Sequence, residues 1–333
     1  MAAGPGPDAM SGSHPAAPAP AAAAGEDQLI GAFCLAQRGC PLCGPSGRPI
    51  PQRLARVDSR AWSSKTFSSR KVPEFMHYRL VRCINCDVIY ADPAPDARDL
   101  EDVYRRAAYD SKDEAVLASR TYGRLLDRCL GRLPDRDAAV DIGTGDGSFL
   151  GELISRGFQN VEGIEPSVAP RMAADPEIRP LIRQAVFAAG LFPAESQTLV
   201  TCFQTLEHVP EPLAVAREAY RILKPGGIFM VVAHNHRSLS SRVLGSGSPI
   251  YDVEHLQLFS PRSLTCLMRR AGFQSPEVHP ITNRYHLRYW AQVVPWPPRV
   301  RKPAMRLIEA AGIGRLVVPI RAGNLVGLGY KPL

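Results

Sequence analysis

The stretch Val140-Asp-Ile-Gly-Thr-Gly-Asp-Gly-Ser148 joins an apolar run to the first turn of an amphipathic helix. Its glycines at alternate positions allow the backbone to turn sharply and to approach a ligand closely. Asp141 lies at the end of the apolar run, and the next run along the chain ends at Glu165, 22 residues beyond Gly143. An acidic residue about 20 residues past such a turn is placed to accept hydrogen bonds from ribose hydroxyls. The stretch therefore predicts a nucleoside site at the carboxyl ends of two neighbouring strands.

Apolar runs without alternation flank this turn and alternate with helical patterns, which is typical of a parallel sheet buried on both faces. The runs are Ala138–Ile142, Val161–Ile164, Leu199–Phe203 and Ile228–Ala233. Amphipathic helices are predicted at Leu100–Tyr104, Val116–Leu130, Phe149–Ser155 and Leu213–Leu223. A later helix is predicted to begin after the N-cap Ser260 and to end before Gly272. We therefore expect an α/β fold with a Rossmann-like parallel sheet.

The 333-residue chain is 45% hydrophobic and 22% charged, which allows a buried core of one large domain or two smaller ones. Residues 48–82 hold nine Lys or Arg against two acidic residues, and residues 281–333 hold nine against Glu309 alone. Such basic flanks suit a solvated surface, an anionic substrate or a peripheral membrane contact. No apolar stretch is long enough for a transmembrane segment, and the Ala- and Pro-rich start has no charged signal region. We expect a disordered leader and a cytoplasmic location.

Four of the eight cysteines form two Cys-x-x-Cys pairs, Cys40 with Cys43 and Cys83 with Cys86. Two such pairs supply four thiolates to one tetrahedral ion, and a closed shell leaves no position for a reacting water. A cytoplasmic location also disfavours disulfides. We therefore expect these residues to hold a structural zinc ion, with four unrelated core thiols as the alternative. The single cysteines are expected to be buried small hydrophobes: Cys34, Cys129, Cys202 and Cys266.

A dinucleotide fits the glycine turn less well than a cationic nucleoside does. The dinucleotide pattern places its final glycine where this chain has Ser148. Asp141 and Asp146 would also repel a diphosphate. A dinucleotide-dependent oxidoreductase is therefore disfavoured.

Together with this turn, three further stretches resemble the class I S-adenosylmethionine-dependent methyltransferases in order and spacing: Val161–Ser167, Gln204–Val209 and Leu223–Gly227. The resemblance implies that the glycines wrap the methionine part of the cofactor, that Glu165 holds the ribose and that residues 204–206 lie beside the sulfonium. Phe187–Leu191 lacks the acidic residue that the family usually places near adenine, so no residue is assigned there. The expected cofactor-binding residues are Asp141, Gly143, Gly145, Gly147, Glu165, Pro166, Gln204, Thr205 and Leu206.

We accordingly divide the chain into five segments. A leader (1–27) precedes a zinc-binding module (28–95), and a helical connector (96–134) leads to the S-adenosylmethionine-binding core (135–280). A basic C-terminal segment (281–333) is expected to complete the sheet.

The N-terminal half resembles a zinc-bearing subgroup that includes sugar methyltransferases of deoxysugar and natural-product pathways. The residues that match are Cys40-Pro-Leu-Cys-Gly44, Tyr78–Cys86, Tyr104 and Tyr109. The resemblance implies that the zinc-binding module lies over the substrate crevice. It also implies a small-molecule acceptor, either a sugar or a natural-product or cell-envelope precursor, which the basic flanks allow to be anionic.

His255 is the first candidate for a general base that removes a proton from the acceptor. Residues 252–255 resemble the Tyr-x-Glu-His segment of sugar carbon-methyltransferases, which carries a catalytic histidine, with Asp252 in place of the tyrosine. This difference leaves oxygen and nitrogen acceptors open, and Glu254 is the expected neighbour of the base. His208 is the second candidate. The alternatives are that His255 packs against the following helix and that Glu207 and His208 brace the fourth strand.

A catalytic metal site and a nucleic-acid-binding function fit the sequence less well. Some quinone-pathway members that resemble the segment bind a divalent cation through a glutamate at the position of Gln204, and a neutral amide is a poorer ligand, so no catalytic metal is expected. His234 and His236 lack a third ligand and are expected to be loop residues. A nucleic-acid-modifying methyltransferase or an RNA-binding protein is the alternative function, disfavoured because the basic spacer shows no regular alternation with aromatic residues.

Overall fold

The structure is a computed structural model that describes Met1, residues 33–58, Trp62, residues 66–68 and residues 74–333. Apart from Met1, the leader predicted over residues 1–27 lies outside the described residues, as does the start of the predicted zinc-binding module. Four basic residues of the N-terminal flank also lie outside them: Arg60, Lys65, Arg70 and Lys71.

The described residues form fifteen strands and nine α-helices. The strands are β1 (Leu35–Ala36), β2 (Pro49–Arg53), β3 (Leu80–Cys83), β4 (Ile89–Ala91), β5 (Ala94–Pro95), β6 (Ala138–Ile142), β7 (Asn160–Ile164), β8 (Ile182–Arg183), β9 (Gln197–Phe203), β10 (Leu223–His234), β11 (Gln257–Leu258), β12 (Gln274–Pro280), β13 (Asn283–His286), β14 (Val317–Ile320) and β15 (Asn324–Tyr330). The helices are α1 (Ala97–Arg106), α2 (Lys112–Leu126), α3 (Ser148–Ser155), α4 (Val168–Ala173), α5 (Pro212–Ile222), α6 (Leu239–Leu244), α7 (Pro261–Ala271), α8 (Leu287–Val293) and α9 (Pro298–Ala310).

Seven strands form a central sheet in the order β12-β15-β10-β9-β6-β7-β8. β7 and β9 pair with β6 in parallel on its two sides, and β8 and β10 extend the parallel arrangement outward. The four apolar runs of the sequence are β6, β7, β9 and β10. The expected Rossmann-like α/β fold is therefore confirmed.

The sheet is mixed, and the expectation of a wholly parallel sheet is wrong for one strand. β15 runs antiparallel to both of its neighbours, β10 and β12. A Cβ at Gly327 of β15 would lie 2.7 Å from Met268 Cε of α7, so a side chain there would displace Met268 where the helix packs closely on the strand. Such glycines interrupt the apolar run, and the pattern along the chain did not reveal this strand.

Helix α7 begins and ends where the sequence predicts. The Ser260 hydroxyl accepts a hydrogen bond from the Ser263 amide at 3.2 Å, and the Ser263 hydroxyl accepts one from the Ser260 amide at 2.7 Å. This reciprocal capping box satisfies backbone donors that the first turn of a helix leaves open. Gly272 ends the helix with a φ of 114°, a conformation that favours glycine.

A smaller antiparallel sheet in the order β11-β4-β3-β2 lies beside the central sheet. β2, β3 and β4 belong to the cysteine-bearing N-terminal part of the chain, whereas β11 follows His255 in the core. The N-terminal part and the loop that carries His255 are therefore held together by backbone hydrogen bonds.

The C-terminal segment contributes more than the strand β15. β13 pairs with β14, and α8 and α9 lie between them in the sequence. Within the part of the chain that the structure describes, no helix is long and apolar enough to cross a membrane.

Candidate active site

A cavity of about 450 Å³ opens at the carboxyl ends of β6, β7, β9 and β10. The glycine turn that follows β6 forms one side, and residues of α1, α2, α8 and the segment 249–255 form the others. In open α/β sheets ligands bind outside the carboxyl ends of the strands. This cavity is therefore the candidate active site.

The glycine turn has a left-handed backbone and is packed on one side only. Gly143 and Gly145 have φ values of 70° and 60°, in the left-handed region that favours glycine. A Cβ at Gly143 would lie 2.3 Å from Thr205 Oγ1, whereas a Cβ at Gly145 would meet no described atom within 4 Å. The turn thus packs closely on Thr205, just after β9, at Gly143, and has free space beside it at Gly145. Gly147 is the N-cap of α3 and does not line the cavity.

Three acidic side chains surround the turn. Glu165 accepts hydrogen bonds from the amides of Gly145 at 2.9 Å and Ser167 at 2.8 Å, and its burial raises its pKa. Asp141 accepts one from the Thr201 hydroxyl at 2.6 Å, and burial raises the pKa of Asp141 to about 7. Asp146 Oδ2 is buried without a hydrogen-bond partner among the described residues. A positively charged ligand would compensate these carboxylates.

Of residues 204–206, the first two line the cavity and the third lies in the core. Gln204 has a φ of 51°, and its Oε1 accepts a hydrogen bond from the Tyr122 hydroxyl at 3.2 Å. Gln204, Thr205 and Pro166 line the cavity. Leu206 is fully buried in the core and does not line it, because the chain turns inward after Thr205. The structure therefore leaves Leu206 without a side-chain role in cofactor binding.

His255 lies in the wall of the cavity, at 7% exposure. Its Nδ1 is 2.8 Å from the Ile250 carbonyl oxygen, and since a carbonyl only accepts, Nδ1 carries the proton. Nε2 is then the unprotonated nitrogen of the neutral ring, the one that can take up a proton. Glu254 Oε1 lies 3.9 Å from this Nε2.

Two further histidines surround His255. The His208 ring centroid lies 5.0 Å from that of His255, and its Nδ1 is 3.0 Å from the Tyr104 hydroxyl and 3.1 Å from the Glu254 carbonyl oxygen. The His234 centroid lies 4.9 Å from that of His255. His234 was expected to be a loop residue, but it is the last residue of β10 and lines the cavity.

His234 and His236 do not form a metal pair. His234 Nδ1 is 3.1 Å from Asn324 Oδ1, whereas His236 Nε2 is 2.9 Å from the Asp87 carbonyl oxygen, away from the cavity. Among the described residues, the four paired cysteines are the group whose ligand atoms could hold a metal ion.

Glu207 connects the backbone segments that carry these histidines. The side chain is fully buried, and its Oε1 accepts a hydrogen bond from the His234 amide at 2.6 Å. Its backbone carbonyl accepts one from the Leu256 amide at 2.8 Å, so Glu207 joins the ends of β9 and β10 to the residue after His255. Burial raises the pKa of Glu207 to about 7.

Changing Glu207 to Gln is expected to make the protein increasingly stable relative to wild type as the pH rises. Burial raises the pKa of Glu207 in the folded protein from its ordinary value of 4.5 to about 7. The wild-type protein therefore loses stability as the pH rises from 4.5 to about 7, because the buried carboxyl must ionise, whereas the glutamine variant does not. The difference in unfolding free energy should grow by about 2–4 kcal/mol, at about 1.4 kcal/mol for each pKa unit. Urea unfolding across this range measures it. Glu177→Gln, at an exposed position, is the control. If the difference in unfolding free energy from wild type did not change with pH for either variant, the expectation would be contradicted.

The C-terminal segment supplies an aromatic side of the cavity that sequence reasoning missed. Tyr285, Tyr289 and Trp290 line the cavity together with Asn283, whose Oδ1 is buried without a partner among the described residues. The cluster of three aromatic residues within six positions was the available signal, but nothing local in the sequence connects it to the glycine turn.

The paired cysteines form one buried cluster. All four are buried and their Sγ atoms lie within 4.8 Å of one another. The two turns close alike: the Gly44 amide donates to the Cys40 carbonyl at 2.8 Å, and the Asp87 amide to the Cys83 carbonyl at 2.7 Å. Cys40 Sγ is 3.6 Å from Cys86 Sγ, and this contact holds the pKa of Cys40 well below its ordinary value. The donor set fits a tetrahedral thiolate site.

The single cysteines are not all buried as expected. Cys129 and Cys202 are buried and Cys266 is half-buried, but Cys34 is exposed. Cys34 precedes β1, a two-residue strand whose residues are themselves exposed, so no core covers it.

Comparisons with known proteins show which sequences and structures resemble this chain. Residues 109–277 match the profile of a family described as a methyltransferase domain. A ubiquinone biosynthesis O-methyltransferase of Ralstonia nicotianae is 31% identical over 166 residues, which are 44% of this chain and 69% of that enzyme. A probable S-adenosylmethionine-dependent methyltransferase of Mycolicibacterium smegmatis is 31% identical over 156 residues, 46% of this chain and 56% of that protein. A solved putative methyltransferase of Bacillus halodurans aligns with a TM-score of 0.46 and 19% identity, over 63% of this chain and 98% of that one.

The family profile covers half of the chain, including the glycine turn, Glu165 and His255. The chain therefore belongs to the methyltransferase domain family and is a class I S-adenosylmethionine-dependent methyltransferase, as the sequence motifs indicated. The matched residues include neither the four-cysteine cluster nor the C-terminal segment 281–333.

Proposed function

We propose that this enzyme methylates a hydroxyl oxygen or an amine nitrogen of a small molecule bound beside His255. The observation that carries the proposal is the His255 ring, which lies in the same cavity as the glycine turn with its Nδ1 proton donated to the Ile250 carbonyl. That hydrogen bond orients Nε2 for uptake of the acceptor proton. The name of the Ralstonia relative, an O-methyltransferase, favours an oxygen acceptor.

The methyl donor is assigned to the side of the cavity that the glycine turn forms. Bound S-adenosylmethionine supplies an electrophilic methyl group, which the acceptor attacks as the carbon–sulfur bond breaks. The chain offers carboxylates beside a positive ligand and open space next to Gly145, so its residues fit the donor. The residues assigned to it are Asp141, Gly143, Gly145, Glu165, Pro166, Gln204 and Thr205.

The acceptor is assigned to the side formed by the histidines and the aromatic residues. His208 and Tyr104 hydrogen-bond each other, and Glu254 lies next to His255, so this side offers polar groups to acceptor hydroxyls. Tyr285, Tyr289 and Trp290 offer apolar ring faces. This combination suits a sugar or a natural-product or cell-envelope precursor. The described lining contains Asp252 and Glu254 but no Lys or Arg, which favours a neutral over an anionic acceptor.

We also assign a structural zinc ion to Cys40, Cys43, Cys83 and Cys86. All four ligand positions would come from the protein, so the ion would hold the two cysteine turns together and take no part in methyl transfer. His236 and Asp87 connect this cluster to the end of β10.

The test of this function is acceptor-dependent conversion of S-adenosylmethionine by the full chain. Purified protein is incubated with the donor and with hydroxylated sugars, phenols and primary amines, and products are located by mass spectrometry and NMR. A methyl group on oxygen or nitrogen supports the proposal. Methylation of carbon, or of RNA in a parallel assay in preference to every small molecule, would overturn it.

Replacing Glu165 with alanine is expected to weaken S-adenosylmethionine binding by about 1–3 kcal/mol. The change removes the acceptor for ribose hydroxyls and also the two hydrogen bonds that hold Gly145 and Ser167. Calorimetric titration measures the affinity. Glu162→Ala is the matched control, because Glu162 lies on β7, the strand that ends just before Glu165, pairs with Arg183 and does not line the cavity. Unchanged affinity in the Glu165 variant would remove it from the donor site.

A further inference from the structure

Helix α9 is a 13-residue helix of which no described residue is fully buried. Arg301, Ala304 and Ile308 are half-buried and mark the side that faces the protein. Val300, Pro303 and Leu307 are exposed, and their spacing of three and four residues places them on one outward stripe. Leu307 is 70% exposed and Val300 44% exposed. These residues give α9 an apolar stripe on its exposed side, the kind of feature that marks interaction surfaces when it is contiguous.

Basic side chains lie along this apolar stripe. Three exposed basic residues each come directly before one of the stripe residues: Arg299, Lys302 and Arg306. None of the three forms a salt bridge with any residue that the structure describes. Glu309 is the single acidic residue of the whole segment 281–333. The stripe is therefore bordered by uncompensated positive charge.

The segment after α9 repeats the combination of exposed aliphatic and basic residues. Ile313 and Leu316 are 45% and 60% exposed, with the exposed Arg315 between them. Val317 and Ile320 of β14 are also exposed and are followed by Arg321. Exposed aliphatic and basic residues thus recur from residue 299 to residue 321, and we name these exposed residues the C-terminal surface.

The geometry points to this C-terminal surface as a docking site for an anionic lipid membrane. An interfacial helix inserts its apolar stripe at the boundary of headgroups and acyl chains while its basic residues contact anionic headgroups. A second copy of the chain fits less well, because a self-complementary contact would bring the positive residues of both copies together. The positive charge of the surface therefore favours an anionic membrane over a second copy of the chain.

Docking in this way would bring the candidate active site close to the lipid. α9 lies against α8 through the connecting Trp296, whose indole N–H donates to the Ala291 carbonyl at 2.6 Å. On the cavity side α8 supplies Tyr289, Trp290 and Val293. One helix thus separates the docking surface from the acceptor side of the cavity.

Vesicle binding by the full chain tests the inference. Binding is measured by co-sedimentation with phosphatidylcholine vesicles that contain about 30% phosphatidylglycerol and with vesicles of phosphatidylcholine alone. We expect binding to the anionic vesicles that weakens as salt is raised. The Arg299→Gln, Lys302→Gln, Arg306→Gln triple variant should bind about 100-fold more weakly, at about fivefold for each basic residue. The Val300→Ser, Leu307→Ser double variant should bind at least about tenfold more weakly.

Two matched variants control for nonspecific effects. Arg217→Gln removes an exposed arginine of α5, and Ile154→Ser removes an exposed aliphatic residue of α3, and neither should change binding. Unchanged melting temperatures show that all variants are folded. Absent binding, equal binding to both kinds of vesicle, or equal binding by all variants would overturn the inference. So would a concentration-dependent dimer that Leu307→Ser abolishes, because it would assign the surface to a second copy of the chain.

Discussion

His255→Ala is expected to lower turnover by about 100- to 10,000-fold and to leave S-adenosylmethionine affinity nearly unchanged. The variant removes the Nε2 that would take the acceptor proton, whereas the residues assigned to the donor belong to the glycine turn and to the ends of β7 and β9. Single-turnover kinetics with a saturating acceptor, together with calorimetric titration of the donor, separate the two effects.

Two further variants separate catalysis from packing. His255→Gln can still donate a hydrogen bond toward the Ile250 carbonyl but cannot act as a base at neutral pH, so it should lose turnover with a smaller loss of stability. His279→Ala removes an exposed histidine of β12 and should keep full activity. A His255→Ala protein that melts earlier but turns over at nearly the wild-type rate would limit this residue to packing. His208, which hydrogen-bonds Tyr104, would then be the next candidate for the base.

Changing both Cys83 and Cys86 to serine is expected to abolish binding of about one zinc ion per chain and to unfold the N-terminal sheet. A structural zinc site contributes about 10–16 kcal/mol of binding free energy to folding, and two remaining thiolates cannot hold the ion with comparable strength. Cys83 is the last residue of β3, which pairs with both β2 and β4, so the loss should spread through that sheet. Elemental analysis of the purified protein and its melting curve measure the two effects.

Cys34→Ser is the control for this experiment. Cys34 is exposed and lies outside the four-cysteine cluster, so the variant should keep both zinc and stability. Wild-type protein without zinc, or full zinc retained in the double variant, would contradict the assignment. Because β11 joins the N-terminal sheet to the loop after His255, loss of zinc is also expected to lower turnover.

The sequence predicted which strand ends meet at the residues assigned to the methyl donor, and their role in binding stays a prediction. Asp141 lies near the end of β6, Gly143 and Gly145 follow β6, and Glu165 follows the neighbouring parallel strand β7. Such strand ends meet at one edge of a sheet. The prediction was less accurate for side-chain direction. Leu206 is next to two cavity residues in the chain but is buried in the core, since the direction of a side chain after a strand depends on how the loop packs.

The acceptor side could be predicted only in part. His208 and His255 were predicted because they follow elements of the core, and the structure brings their rings to 5.0 Å. Tyr285, Tyr289 and Trp290 lie more than 100 residues beyond the glycine turn. No periodicity connects residues so far apart, so their place in the cavity wall depends on how the C-terminal segment packs.

The sequence by itself determined the local features of this protein. The glycine turn, the apolar strands around it, the capped helix α7 and the two cysteine pairs are each specified by residues within a few positions of one another. Only the tertiary structure decided that β15 lies between β10 and β12 and that α8 closes the cavity. It also fixed the His255 loop, where the Leu256 amide donates to the Glu207 carbonyl and the Leu256 carbonyl accepts from the Ala91 amide, both at 2.8 Å. These contacts join segments that are distant in the chain, and they form where packing and backbone hydrogen bonding bring those segments together.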